Sequence, residues 1–267
     1  MAVSLIDPVL LVPRLGSLVG RFDVDSLAEC DSTSSELSRR AARGAPAGTV
    51  VVADRQSAGR GRRGRSWISA PEDSLTFSLL WRFPGGFERV AGLSLAVGVA
   101  VARACESQGA VGVALKWPND ILAPVGGGWG KLGGILVELS SIPAGMEAVI
   151  GIGLNLRTPP VDSDNALPPA SLADLGAAPG DRHDLLAALL RELAAALDAF
   201  SAQGFAALSD DWQRRHAWQD RPVALLQDGR LEAAGICRGA DRDGALLVEG
   251  PSGVARHLAG DLSLRSL

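Results

Sequence analysis

The chain has 267 residues, of which 47% are hydrophobic and 21% are charged, and its formal net charge is −4. These values are typical of a globular protein with a full core and exclude a disordered chain. The negative charge gives no overall attraction to nucleic acid or anionic membranes, so any basic site must be local.

Cysteine usage and the N-terminus both predict a cytoplasmic protein. The three cysteines lie far apart without a CxxC pair, so neither a disulfide framework nor a zinc site is expected. No basic start leads into an apolar stretch of the kind found in signal peptides. The longest apolar run, residues 90–102, is shorter than the roughly 20 residues that span a bilayer. It is predicted to be a buried core helix, and no membrane association is expected.

The first half of the chain alternates helices and strands. A helix is predicted over residues 33–43, where Thr33 and Glu36 have the spacing of a capping box. Residues 56–67 have no hydrophobic period and are predicted to be a loop, and a long helix is predicted over 87–108. The strands are short runs of apolar and β-forming residues, predicted at 48–54, 75–81, 112–117, 133–139 and 148–154.

The second half contains one helix and a region of short strands. Residues 157–178 are rich in Pro, Asp, Ala and Ser and are predicted to be a long loop, followed by an amphipathic helix over 183–202. Beyond residue 218, short β runs are separated by turns at 227–229, 240–244 and 250–253. We therefore predict an α+β domain, residues 1–217, with a mixed β-sheet and helices packed on one side, and a small β-barrel, residues 218–267.

Lysine usage points to a functional site. The chain has 26 basic residues, yet only Lys116 and Lys131 are lysines. Where lysine persists among so many arginines, the position is expected to need a compact ammonium on a flexible stem, which the planar guanidinium cannot replace. With two cases, chance is the alternative explanation.

An arginine- and glycine-rich segment, residues 59–65 (GRGRRGR), is the local basic site. It matches GxGxxG, but a dinucleotide fingerprint opens a helix, whereas this loop leads into a strand. Two alternatives stay open: a nucleic-acid patch, or an anion site in which glycines allow close backbone approach and arginines bind phosphate or carboxylate.

Each lysine lies in a motif that is weak by itself. Residues 126–131 resemble a P-loop only partly, because Leu132 stands where Ser or Thr should hold Mg²⁺. Residues 116–120 (KWPND) end a strand with a rigid proline and polar groups, and a simple strand-end turn with a capping Asp is the alternative.

Together, the motifs resemble those of biotin–protein ligases. They occur in the family's order: Gln56, 59–67 (GRGRRGRSW), 116–120 (KWPND), 131–138 (KLGGILVE) and 151–155 (GIGLN). The resemblance implies a class II synthetase-like biotin–lipoate ligase fold with a C-terminal SH3-like barrel. It implies that biotin and ATP form biotinyl-5′-adenylate and pyrophosphate, and that biotin then passes to a lysine of a biotin carboxyl carrier protein of acetyl-CoA carboxylase or a related enzyme.

The same resemblance implies roles for individual residues. Lys131, Arg62 and Asp120 are expected to be catalytic, with Lys131 placed between the carboxylate and the α-phosphate and Asp120 near the acceptor lysine. The residues expected to bind biotin are Ser32, Thr33, Ser34, Gln56, Arg60, Gly61, Arg62, Lys131, Gly133 and Gly153. Those expected to bind ATP are Arg60, Arg62, Arg65, Trp67, Lys116, Asn119, Lys131 and Asn155. Mg²⁺ is expected to arrive with ATP, with Asp120 as its one candidate protein ligand.

Some features depart from the family's pattern. Ser34 replaces the family's usual Asn, which removes an amide donor and acceptor. The loop over residues 157–170 lacks the aromatic residue that some relatives place over adenine, leaving Leu167 as an apolar candidate. Only 30 residues precede Asp31, too few for the winged helix of the repressor members, so DNA binding is not expected. A homodimer stays open.

Two other functions also remain open at this point. A lipoate or octanoate ligase or transferase shares the fold and a single key lysine, but lacks the arginine loop and the KWPND motif. A nucleic-acid-binding module would use the arginine loop without any adenylation chemistry.

Overall fold

The structure, a computed structural model, describes residues 4–159, 167–177, 181–259 and 262–266. In these ranges the helices are α1 Pro8–Leu15, α2 Thr33–Ala42, α3 Leu93–Ser107, α4 Arg182–Gln203 and α5 Ser209–Arg215. The strands are β1 Asp23–Cys30, β2 Thr49–Gln56, β3 Ser74–Phe83, β4 Ala114–Lys116, β5 Asp120–Val125, β6 Gly128–Ile142, β7 Gly145–Asn155, β8 Pro222–Gln227, β9 Arg230–Ala240, β10 Leu246–Gly250, β11 Gly253–His257 and β12 Leu262–Ser266.

The first seven strands form one mixed sheet in the order β1-β2-β3-β7-β6-β5-β4. Strands β1 and β2 run parallel, and every other neighbouring pair is antiparallel. The predicted α+β class is confirmed. The sheet is wider than the sequence indicated, because β1 alternates polar and small residues and β5 contains Pro124, so neither has a clear strand pattern.

Helices cover the two faces of this sheet unequally. Val50 and Val52 of β2 belong to the main hydrophobic core, which also contains the apolar residues of α3 and α4. Val51 points to the opposite face, where it packs in a small cluster with Leu37 of α2 and Leu80 of β3. The prediction of helices on one side therefore holds for the large core but not for α2. This exception matters because the α2 face carries the functional cavity.

Helix α3 is the core helix that residues 90–102 predicted. The helical stretch Phe87–Ser107 is long and apolar enough to cross a membrane by composition alone, yet 67% of its most apolar window is buried inside the molecule. Such burial is typical of the central helix of a globular fold.

The C-terminal strands form a second, antiparallel sheet in the order β11-β10-β9-β8-β12. Its turns lie where the sequence predicted them, between β8 and β9, β9 and β10, and β10 and β11. In the described residues β11 and β12 are the two edges, so the predicted barrel is open. The indole nitrogen of Trp117 donates to the carbonyl of Gly244 at 3.1 Å, which ties this sheet to the end of β4. The division of the chain at 217/218 stays a prediction.

Candidate active site

A cavity of about 1050 Å³, including its open mouth, lies on the α2 face of the large sheet. Its floor comes from alternate residues of three neighbouring strands, since successive side chains in a strand point to opposite faces. The floor residues are Thr76 of β3, Gly134 and Leu136 of β6, and Gly151 and Gly153 of β7. Most residues predicted to bind biotin or ATP line this cavity; Gly133, Lys116 and Asp120 do not.

Ser32, Thr33, Ser34 and Gln56 form one wall at the start of α2. The predicted capping box is wrong, because Ser32 occupies the N-cap position and makes no side-chain capping bond. The Thr33 hydroxyl instead donates to Gln56 Oε1 at 3.2 Å, and the Thr33 amide donates to the same oxygen at 2.8 Å. The structure thus brings together four of the residues that were predicted to bind biotin.

The arginine loop covers the mouth of the cavity. The loop closes on itself, since the Gly61 amide donates to the Arg65 carbonyl at 2.7 Å, and it leads into β3, as predicted for a loop that is not a dinucleotide fingerprint. Arg60 pairs with Glu138 at 2.5 Å, and Arg62 Nη1 donates to Asn119 Oδ1 at 3.2 Å. Several guanidinium groups are therefore held at the entrance by protein partners.

The two lysines meet at one carboxylate. Lys131 Nζ lies 2.9 Å from Asp120 Oδ1, and Lys116 Nζ lies 3.2 Å from Asp120 Oδ2. All three groups line a second cleft, which shares Arg62 and Asn119 with the main cavity and is closed on its far side by β12. Sequence reasoning placed both lysines in the site but did not predict that they share a counterion.

Burial and charge act in opposite directions on this cluster. Burial tends to raise the pKa of Asp120, but the two ammonium groups outweigh it and hold that pKa below its usual range. Lys116 is 6% exposed, and desolvation lowers its pKa despite the attraction of Asp120. The predicted contact of Lys116 with nucleotide is therefore not available from the main cavity. Lys116 instead lines the second cleft next to Asp120, and its ammonium is 5.8 Å from the centre of the Trp218 ring.

A β-bulge turns Lys131 toward the cavity. Ile121 pairs with Gly133 whereas Leu122 pairs with Lys131, so one extra residue is inserted at Leu132. Without the bulge, Lys131 and Gly133 would share a face. Gly133 points instead into the main core, where an added Cβ would lie 2.7 Å from Leu154 Cδ2. Gly133 does not line the cavity whereas its neighbour Gly134 does, and the predicted contact of Gly133 with biotin stays a prediction.

The space above Gly153 is filled by Trp67. A Cβ at Gly153 would lie 2.4 Å from Trp67 Cε2, so the glycine makes room for the indole ring, and the predicted contact of Gly153 with biotin stays a prediction. Trp67 Nε1 and the Thr76 hydroxyl are both buried and have no hydrogen-bond partner among the described residues. Both residues line the cavity, although these two polar atoms are themselves covered by protein.

Asn155 supports Lys131 from behind. Its Nδ2 donates to the carbonyl oxygens of Lys131 at 3.2 Å and Ala170 at 2.9 Å, so its amide hydrogens are used within the protein, and its predicted contact with ATP stays a prediction. The Lys131 amide donates to the Pro168 carbonyl at 2.7 Å. Leu167 lines the cavity as predicted, while residues 160–166 of the predicted adenine loop lie outside the described residues.

One sequence pattern could have identified part of the cavity floor, which the sequence analysis did not predict. Ser74, Thr76 and Ser78 are the polar members of an alternating pattern in β3, and they mark the strand face that carries the cavity. Gly134 and Gly151 carry no comparable signal, because a glycine shows no face by itself.

The residues present do not fit a protein-bound metal ion. Asp120 already faces two ammonium groups, whose positive charges would repel a divalent cation, and Asn119 Oδ1 accepts from Arg62. The predicted role of Asp120 as a Mg²⁺ ligand is therefore not supported, and Mg²⁺ is treated below only as part of the ATP substrate.

Comparisons with known proteins show which family this chain is similar to. Residues 28–155 match the family model described as the biotin/lipoate A/B protein ligase family. The chain is 36% identical over 267 residues to the bifunctional ligase/repressor BirA of Escherichia coli, covering 98% of this chain and 81% of that protein. It is 38% identical over 238 residues to a biotin–[acetyl-CoA-carboxylase] ligase of Paracoccus denitrificans, covering 85% and 94%.

Solved structures show a similar arrangement. The fold is similar to that of a biotin protein ligase from Aquifex aeolicus in complex with biotin and ATP, with a TM-score of 0.78 and 29% identity. The match covers 92% of this chain and 99% of that chain.

Proposed function

Because this chain belongs to the biotin/lipoate A/B protein ligase family, we propose that its cavity carries out both half-reactions of a biotin–protein ligase. The chain is an ATP-dependent, AMP-forming ligase whose substrates are biotin and ATP, and the predicted family and activity are confirmed. The observation that carries the residue roles is the meeting of Lys131, Asp120 and the arginine loop where the second cleft joins the cavity, which is lined on another side by the polar wall of α2.

In the first half-reaction, an oxygen of the biotin carboxylate attacks the α-phosphorus of ATP, and the bond to the β-phosphate breaks to release pyrophosphate. Two anions must meet, which is costly in a site of low dielectric constant unless positive groups offset their repulsion. Lys131 lines both the cavity and the cleft, so its ammonium can contact both anions through the transition state. Arg60, Arg62 and Arg65 line the same mouth and can bind the phosphates.

In the second half-reaction, the amine of the acceptor lysine attacks the biotinyl carbonyl and AMP leaves. The attacking amine must be neutral, so its ammonium form first loses a proton. Asp120 is a half-buried carboxylate that lines the cleft, where each oxygen keeps a lone pair beside its ammonium partner and can accept a hydrogen bond from the incoming amine and orient it. The low pKa of Asp120 argues for orientation rather than lasting proton uptake.

The acceptor is the biotin carrier of a carboxylase, and we propose the carrier protein or domain of acetyl-CoA carboxylase. A cytoplasmic location and the absence of DNA and membrane binding are further parts of the proposal. The formal net charge of −4, which gives no overall attraction to nucleic acid or anionic membranes, supports the absence of DNA and membrane binding. A homodimer is tested directly by sedimentation at several protein concentrations.

The decisive experiment is exchange of labelled pyrophosphate into ATP. We expect exchange that requires biotin and is not supported by lipoate or octanoate, followed by biotin transfer to a purified carrier. Exchange with lipoate instead of biotin would identify a lipoate ligase. Salt-sensitive binding of nucleic acid without any exchange would identify a nucleic-acid module.

A further inference from the structure

A chain of buried hydroxyl groups runs behind the polar wall of the cavity. Ser78 Oγ donates to Thr33 Oγ1 at 2.8 Å and lies 3.0 Å from Ser34 Oγ. Ser78 is fully buried and does not line the cavity, whereas Thr33 and Ser34 do. Together with the bonds from Thr33 to Gln56, these contacts connect four side chains in one series, Ser34–Ser78–Thr33–Gln56.

Which group donates in each hydrogen bond of this series follows from the contacts at Gln56, its last member. Gln56 faces Thr33 with its Oε1, since the Thr33 backbone N–H can only donate and lies 2.8 Å away. An amide oxygen cannot donate, so the Thr33 hydroxyl must give its single hydrogen to Gln56. Thr33 Oγ1 then accepts from Ser78, whose hydrogen is used in that bond. The bond between the two serines can therefore only run from Ser34 to Ser78.

This direction determines what the wall offers to a ligand. The only hydroxyl hydrogen of Ser34 points into the protein, so its oxygen presents lone pairs alone. The Nε2 hydrogens of Gln56 are not used in the series and present donors. Ser34 Oγ lies close to Gly151, where a Cβ would be only 2.6 Å from it, so the glycine makes room for this hydroxyl. An edge that offers a donor and an acceptor matches a cyclic urea, whose carbonyl accepts and whose N–H donates.

We infer that Ser78 is a positioning residue that makes Ser34 an obligatory acceptor for a ligand N–H and so selects the ureido ring of biotin. This inference rests on the proposed function. It also accounts for Ser34 where the family usually has Asn: an amide could donate or accept, whereas Ser34 bonded to Ser78 can only accept. The dithiolane ring of lipoate has no N–H to offer to this acceptor.

The test measures equilibrium binding of biotin and of two analogues in which one or the other ureido N–H is replaced by oxygen. In the wild type, the analogue that sets its ring oxygen against Ser34 should bind at least about a hundredfold more weakly than biotin, because two acceptors then face each other. In Ser78→Ala, the Ser34 hydroxyl can turn and donate. Biotin should bind about tenfold more weakly, and the ratio between biotin and that analogue should shrink by about tenfold.

Ser74→Ala is the matched control. It removes a buried hydroxyl from the same face of β3, but the Ser74 hydroxyl bonds to the backbone of Ala70 and Ser74 lies outside the cavity lining. Its biotin-to-analogue ratio should equal that of the wild type. If Ser78→Ala is poorly folded by circular dichroism, Ser78→Cys replaces it, and its weaker hydrogen bonds should give an intermediate ratio.

The outcomes separate this inference from the proposed function. A wild-type protein that neither binds biotin nor supports biotin-dependent pyrophosphate exchange contradicts the proposed function itself. Normal exchange, with a biotin-to-analogue ratio in folded Ser78→Ala within twofold of the wild type, overturns the role of Ser78 alone.

Discussion

Gly153→Ala should force the Trp67 indole out of its place on the cavity floor. The added Cβ would lie 2.4 Å from Cε2 and 2.5 Å from Cζ2 of the ring, whereas ordinary contact begins at 3.4 Å. The ring must therefore shift by roughly 1 Å, which is 3.4 minus 2.4. Overpacking of this size costs about 1–3 kcal/mol. If the ring stays out of the cavity, this cost should appear as a lower free energy of unfolding. If the ring moves into the cavity, it should appear as a KM for biotin raised roughly 5- to 150-fold.

Gly134→Ala is the matched comparison on the adjacent strand. Gly134 pairs with Gly153 across the strands, yet a Cβ there would have its nearest contacts at 3.6 Å, to Lys131 Cε and Nζ, and at 3.9 Å, to Trp67. Its free energy of unfolding should stay within about 0.5 kcal/mol of the wild type.

Both variants are measured by urea unfolding followed with circular dichroism, and by pyrophosphate exchange over a range of biotin concentrations. If Gly153→Ala matches the wild type in both unfolding free energy and KM for biotin, the packing of Trp67 on Gly153 is refuted.

Three further predictions concern charged and titrating groups. Lys131→Arg should lower pyrophosphate exchange by at least about a hundredfold although the charge is kept, because the guanidinium cannot occupy the same point between two anions; near-normal exchange would contradict the role given to Lys131. Asp120→Asn should lower the free energy of unfolding at neutral pH by about 3 kcal/mol, because Lys116 is left buried without its counterion. Part of that stability should be regained as the pH rises and Lys116 deprotonates. A variant as stable as the wild type would show that the ion pair between Lys116 and Asp120 is not needed for stability. Burial lowers the pKa of His216 from 6.5 to about 3, so the unfolded chain takes up the proton first and the free energy of unfolding should fall as the pH drops from about 6.5 toward 3. At about pH 5 this loss is about 2 kcal/mol, and a pH series of urea unfolding curves should show it in the wild type but not in His216→Gln.

The sequence by itself determined the fold class, the family and most of the cavity wall. Motifs such as residues 59–67 and 116–120 are local, so their order and spacing can be read without the fold. The turns between β8, β9, β10 and β11 were also predictable, because glycine and aspartate mark them locally. The edge strand β1 and the proline-containing β5 were missed, because they are held by pairing with neighbours rather than by a hydrophobic period of their own.

Only the tertiary structure decided which face each residue takes and how deeply it lies. The bulge at Leu132 depends on the register between β5 and β6, and this register alone turns Lys131 to the cavity and Gly133 to the core. Lys116 was assigned to nucleotide from its motif, but its burial next to Asp120 depends on strand pairing and on Trp218, about a hundred residues along the chain. The hydroxyl series through Ser78 likewise joins residues from two strands and a helix. Such contacts form between segments distant in sequence, and no local pattern encodes their register or depth.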